Sequence, residues 1–309
     1  MIRLTAQKLN IEAHYKMAAP LVLKRISKIL VKNGWKGTNL SSWLRWLLEF
    51  LVIGENLRQL INANCEEMRA IIDIIKDGNT DLLKDEEEDF ILIKNIFHNA
   101  GYGNINKAEF IRNNGINTCP YCNRNYIYSA SNKVKPQIDH FFPTSLYPLF
   151  AVSFYNLIPA CEPCNGLYGK NNQDSHKLRL VSPYEIKPSD YNFTYKVINI
   201  SIINPVVGKS EIELILNGSP RVAGNTEVFN LDKFYPFHSD HILELIIKQR
   251  VRYSEKYKQY LNSYEGLKFS NSEIDTMILG NVADEKHQHK RSLAKLYQDI
   301  GLELKLIRR

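Results

Sequence analysis

No run of residues is both long and apolar enough to span a bilayer. The most apolar stretch, 43–53, is interrupted by Arg45 and Glu49 and is too short. The first ten residues lack the apolar core and small-residue cleavage site of a secretory signal, so a reducing, cytoplasmic setting is expected. There paired cysteines bind metal more often than they form disulfides. Nothing repeats at a fixed period. The one strongly biased segment, the acidic run 85–89, reads as a solvated helix face or loop.

What is present supports a buried core and a polyanionic partner. Of the 309 residues, 44% are hydrophobic, enough for one large domain or several small ones. The formal charge is +7, and each lysine or arginine that neutralises a phosphate releases condensed counterions, so the balance favours nucleic acid.

The pattern along the chain implies an α+β protein. Apolar residues at three- and four-residue spacing, such as Leu21, Ile26, Ile29, then Leu44, Leu47, Leu48, Leu51, then Ile71, Ile72, Ile75, predict an all-helical N-terminal region. Breaks are expected at Asn33-Gly34 and at Asp77-Gly78-Asn79, with Ser41 or Ser42 capping a helix between them. A change to glycine and asparagine, then to cysteine, proline and histidine, places a boundary near Lys107. The expected division is 1–107, a helical region; 108–185, a core carrying the chemistry; and 186–309, a hairpin followed by helices. In the last part, 193–200 and 211–216 read as strands, 248–260 as a basic helix with interleaved tyrosines, and 284–307 as a helix. The basic helix suits either stacking on bases or docking on a partner.

Four of the five cysteines form two Cys-x-x-Cys pairs, Cys119/Cys122 and Cys161/Cys164. Four thiolates complete a tetrahedral zinc site without an open position, which makes such a zinc structural. Two disulfides or a thiol-redox pair are the alternatives, but no thioredoxin-like βαβ pattern accompanies them. Cys65 stands alone in a helical stretch and reads as a small core residue.

Between the pairs lies Gln137-Ile138-Asp139-His140-Phe141-Phe142-Pro143, followed by Asn156 and, after the last cysteine, Asn165. Hydrolysis of a phosphodiester needs a base for water and a cation for the charge that builds on phosphate, and His140 and Asp139 suit these tasks. An Asp-His pair alone is more often a hydrogen-bonded structural pair. Its place between two knuckles is what separates this one.

The array Cys-x-x-Cys, Asp-His-x-x-Pro, Asn-Leu, Cys-x-x-Cys-Asn resembles the HNH (ββα-metal) endonuclease family over about a sixth of the chain. The resemblance implies two strands and a helix gripping one divalent ion. His140 would be the general base, Asp139 and Asn165 the ligands of a catalytic Mg²⁺ or Mn²⁺, and Asn156 the brace of the histidine loop. DNA is the implied substrate. The family often carries a lysine three residues after its last motif position; here Lys170 comes later, which leaves its phosphate role unassigned. The order of the core, the segment Thr226 to Asp232 and a basic helix resembles HNH subunits of Septu-like and retron-associated anti-phage systems. That implies an ABC- or SMC-like ATPase partner. The competing reading is a non-catalytic zinc module that binds nucleic acid or protein, with Asp139 and His140 bracing the knuckles. The remaining histidines, His98 among them, have no ligand-spaced partner.

Overall fold

The computed structural model describes residues 1–78, 87–128, 136–198, 212–251, 259–260, 263 and 269–308. These form helices and three two-stranded antiparallel sheets, an α+β architecture. No helix among them is long and apolar enough to cross a membrane. The chain builds two compact units, each from separated stretches. One comprises Thr5–Gly115 and Ser129–Glu185; the other comprises Met1–Leu4, Ile116–Tyr128 and Ile186–Arg309. Composition suggested three successive segments instead, because pairing between distant stretches leaves no mark on composition.

The first unit begins with α1 (Lys8–Lys32), which buries Ala18, Val22, Ile26 and Ile29 along one face. Val22, Ile26 and Ile29 each contribute roughly 1.5–3 kcal/mol when fully buried. The helix tolerates Pro20 internally and ends at left-handed Asn33. The region is not wholly helical as expected: β1 (Gly34–Trp35) pairs with β2 (Thr38–Asn39). Gly34 has φ +149°, and a Cβ there would sit on the Thr38 carbonyl, so only glycine closes this turn.

Helix α2 (Ser42–Val52) starts where Ser41 accepts from the Leu44 N–H at 3.0 Å. It buries Leu44, Leu48 and Leu51 and leaves Trp46 stacked on Phe50 at the rim of an apolar cavity of about 740 Å³. Helices α3 (Asn56–Asn62) and α4 (Cys65–Gly78) follow. α4 ends at Gly78, within the break expected at Asp77-Gly78-Asn79, and Asn79 lies outside the described residues. Burial pushes the Cys65 thiol up to about 12, so it is a packed residue and not a nucleophile.

Helix α5 (Glu88–Ile93) continues into a π-helix, Lys94–Gly101, against α1. At its end a Cβ on Gly101 would meet the side chains of Val152 and Val22, so glycine permits the close approach. Helix α6 (Lys107–Asn114), capped by Asn106 and ended by left-handed Gly115, belongs to the same unit. The first stretch of this unit ends at Gly115. Strands β3 (Gln137–His140) and β4 (Leu157–Ala160) and the short helix α7 (Glu162–Asn165) complete the elements of this unit that carry the site.

In the second unit, β5 (Tyr191–Val197) pairs with β6 (Ile212–Gly218), burying Tyr191, Phe193, Ile212 and Leu214 on one face. The expected hairpin is present, and its connection lies outside the described residues. Short helices α8 (Ala223–Val228) and α9 (Leu231–Phe234) lead to α10 (Ser239–Val251) and α11 (Asn271–Leu279). The basic run 248–260 lies largely outside the described residues. The helix expected over 284–307 is split into a 3₁₀ turn, Glu285–Lys290, and α12 (Ala294–Glu303). Leu293, left-handed at φ 58°, makes the break, and its N–H donates to the Asn123 carbonyl.

His14 of α1 is buried, with Nε2 2.7 Å from the Val152 carbonyl and its ring against Phe110 and Phe154. A carbonyl only accepts, so Nε2 carries the hydrogen. Burial lowers this imidazole below its ordinary 6.5. A histidine whose folded pKa is depressed stabilises the fold fully above the unfolded value and loses that contribution as pH falls below it. Between about pH 6.5 and 5 the wild type should lose up to about 1.4 kcal/mol per pH unit through this group. Denaturant titrations of wild type and His14→Gln across that range should therefore differ in acid slope; identical slopes would refute the assignment.

Candidate functional site

Strands β3 and β4 pair antiparallel, with Asp139 opposite Ile158 and His140 opposite Leu157, and α7 follows β4 directly. Asp139 and His140 are adjacent on β3, so the pleat sends their side chains to opposite faces. The half-buried His140 places Nε2 3.1 Å from the Ala151 carbonyl. Nε2 must be the donor, which leaves Nδ1 as the nitrogen with the lone pair. Burial, above all, and the nearby His98, Lys170 and Lys107 push the imidazole down to about 3, against the opposing pull of the Ala151 carbonyl, so it is neutral at pH 7.

The loop that carries Ala151 is held by Asn156. Its buried amide accepts from the Phe142 N–H at 2.7 Å and donates to the carbonyls of Phe142 at 3.1 Å and Phe150 at 2.9 Å. Its own carbonyl accepts from the Phe141 N–H at 2.9 Å. One side chain thus clamps both ends of the loop between the strands.

On the other face of β3, the Lys170 ammonium lies 3.0 Å from Asp139 Oδ1 and 2.8 Å from the His140 carbonyl, with no exposed surface of its own. Lys170 reaches this position because its N–H bonds the Cys164 carbonyl, an approach in which a Cβ on Gly169 would collide with that carbonyl. The lysine left without a role by its spacing is therefore an internal counter-ion. Asn165, at the end of α7, donates from Nδ2 to Gln137 Oε1 at 2.9 Å, alongside β3. The carboxylate of Asp139 and the amide oxygen of Asn165 are hard donors of the kind that fit Mg²⁺ or Mn²⁺. Any such cation would meet a carboxylate that already neighbours an ammonium.

Each cysteine pair sits in a tight local turn. In the first, the Cys119 N–H donates to the Asn125 carbonyl, the Arg124 N–H points at Cys122 Sγ at 3.4 Å, and the Tyr235 hydroxyl donates to the Cys122 carbonyl at 2.6 Å. In the second, the N–H groups of Cys164 and Asn165 both return to the Cys161 carbonyl. All four cysteines are buried and none is in a disulfide. Their sulfurs lie within 4.8 Å of one another. A tetrahedral zinc with Zn–S near 2.3 Å sets sulfurs about 3.8 Å apart, so the four can hold one ion.

Two further groups had no usable sequence signal. Asn123, buried at φ 50°, donates to the carbonyls of Gln288 and Arg291 and accepts from the Lys295 N–H, fastening the first turn. His98, set aside for lack of ligand spacing, and Tyr102, which no sequence signal marked, lie beside His140: ring centroids are 6.1 Å apart for His98 and 4.3 Å for Tyr102. A π-helical stretch carrying polar residues was the available clue only after folding.

Part of the chain is similar to the Septu protein PtuB of Bacillus thuringiensis. The two are 32% identical over 75 residues, 24% of this chain and 27% of that protein, so the match covers about a quarter of the relative's length. No family model matches the chain, and no solved structure does.

Removing one member of a buried ion pair strands the other charge, at a cost of about 3–5 kcal/mol. Lys170→Met should destabilise the protein by that amount in denaturant titrations run in EDTA. Adding Asp139→Leu should recover much of the loss. A single variant within about 1 kcal/mol of wild type, the median worth of an exposed pair, would show that the contact is not a buried ion pair.

Proposed function

We propose that this chain is a metal-dependent HNH-type endonuclease that hydrolyses phosphodiester bonds in DNA. It would act in the cytoplasm, in an anti-phage defence system, beside an ABC- or SMC-like ATPase. The observation that carries the reading is His140, neutral, with Nε2 given to the Ala151 carbonyl and Nδ1 left as base, next to the Asp139 carboxylate. The motif resemblance and the partial similarity to a Septu protein support the defence setting.

In this reading Nδ1 of His140 takes a proton from water as the water oxygen attacks phosphorus. The bond to the 3′ oxygen breaks, and that oxygen takes a proton from solvent. Asn156 holds the loop so that the Ala151 carbonyl keeps His140 in one tautomer. Asp139 and Asn165 would hold the divalent cation, which supplies stabilisation of the charge on phosphate and leaving group. Cys119, Cys122, Cys161 and Cys164 would hold a structural zinc. The alternative, a non-catalytic zinc module, is favoured by one observation: Lys170 already neutralises Asp139, as a purely structural pair would be neutralised.

Supercoiled plasmid incubated with the protein in Mg²⁺ or Mn²⁺ should be nicked or linearised, and EDTA should stop the reaction. His140→Ala should lower the rate at least about a hundredfold, in line with loss of a general base. Undiminished cleavage by the variant would sink the assignment.

For the thiol site, elemental analysis should find one zinc per chain. Cys161→Ser with Cys164→Ser should lose it and lower the thermal midpoint. A metal-free wild type of equal stability would contradict the zinc.

A further inference from the structure

Tyr102 sits at the centre of a cluster drawn from the N-terminal helices of the same unit. Its ring meets His140 edge to face at 4.3 Å, stacks with His98 at 5.7 Å and an interplanar angle of 28°, and has the Lys107 ammonium 4.4 Å above its centroid. His98 is turned by its own hydrogen bond from Nδ1 to Asn99 Oδ1, at 3.0 Å. All four side chains are half-buried, so the cluster borders solvent. Among the described residues no carboxylate lies within ion-pair distance of Lys107. Lys107 is the first residue of α6, directly after the Asn106 cap, and its ammonium is held over an aromatic face. A lysine held over a ring, with no acidic partner among the described residues and one ring away from the proposed general base, is arranged for an anion that arrives from outside.

The geometry points to a phosphate-binding subsite beside His140, in which Lys107 contacts a backbone phosphate of the nucleic acid next to the scissile one and Tyr102 positions both Lys107 and His140. His98, on the ring's stacked side, keeps Tyr102 from turning. The subsite rests on the nuclease reading for its place in the reaction, but its binding test does not need cleavage. Tyr102 acts through its ring, because the contacts with His98, His140 and Lys107 are all ring contacts.

The test is anisotropy of a fluorescent DNA duplex bound to the full, zinc-loaded chain with no magnesium or manganese added, titrated at several salt concentrations. Each phosphate neutralised contributes about −0.9 to the slope of log K against log salt for duplex DNA. Lys107→Gln should make the slope shallower by about that amount, and Lys107→Arg should restore it. Tyr102→Leu should shallow the slope like Lys107→Gln and, in magnesium or manganese, also lower kcat by about tenfold. Tyr102→Phe should keep both. A wild-type slope in Lys107→Gln overturns the subsite, whatever the cleavage assay reads. A shallower slope in a protein that cuts no DNA would leave the phosphate contact standing and remove the nuclease reading. Equal losses in Tyr102→Phe and Tyr102→Leu would assign the effect to the hydroxyl and overturn the platform role of the ring.

Discussion

The side-chain amide of Asn156 is the contact on which the arrangement around His140 depends. An amide buried without partners is costly, and this one is met by the backbone of Phe142, at the start of the loop that leads to it, and of Phe150, farther along. The result is a loop with little freedom to move relative to β4. Ala151 follows Phe150, one of the clamped residues, so the carbonyl that meets His140 inherits that rigidity. Ser175 adds a second tie, its hydroxyl donating to the Phe141 carbonyl. The tautomer of His140 is thus a consequence of backbone geometry several residues away.

The two faces of β3 are solved in different ways. On the Asp139 face a charge is neutralised from within by Lys170, delivered by a turn that only Gly169 permits. On the His140 face the ring lies against Tyr102, His98 and the Ala151 carbonyl, and burial keeps it neutral. The carboxylate of Asp139 is met by an ammonium, and the adjacent imidazole is kept uncharged by burial.

The helices before the motif are part of this arrangement rather than an attachment to it. α1 and the π-helix pack against each other, Gly101 lies against Val152, and His14 bonds the Val152 carbonyl. Residues 14, 98, 101 and 102 therefore border the same short loop that Asn156 clamps. The bidentate pair of Arg69 with Glu185, both distances 2.7 Å, ties α4 to the end of this unit in the same way.

The sequence by itself determined the local features: a helix cap at Ser41 or Ser42, the apolar stripe of α1, a hairpin from strands near 193–200 and 211–216, and the spacing of the cysteine, aspartate, histidine and asparagine positions that make a candidate site. Those signals are short-range, set by periodicity, turn chemistry and residue type, and survive without knowledge of the fold. Tertiary structure alone decided which distant residues meet. It brought Lys170 to Asp139, His98 and Tyr102 to His140, and Asn123 to the segment before α12, and it divided the chain into units of non-contiguous stretches. None of these pairs has a spacing rule. A contact across tens of residues is fixed by packing, by a glycine that allows close approach, or by a buried charge in need of its opposite, and such constraints exist only once the chain has folded.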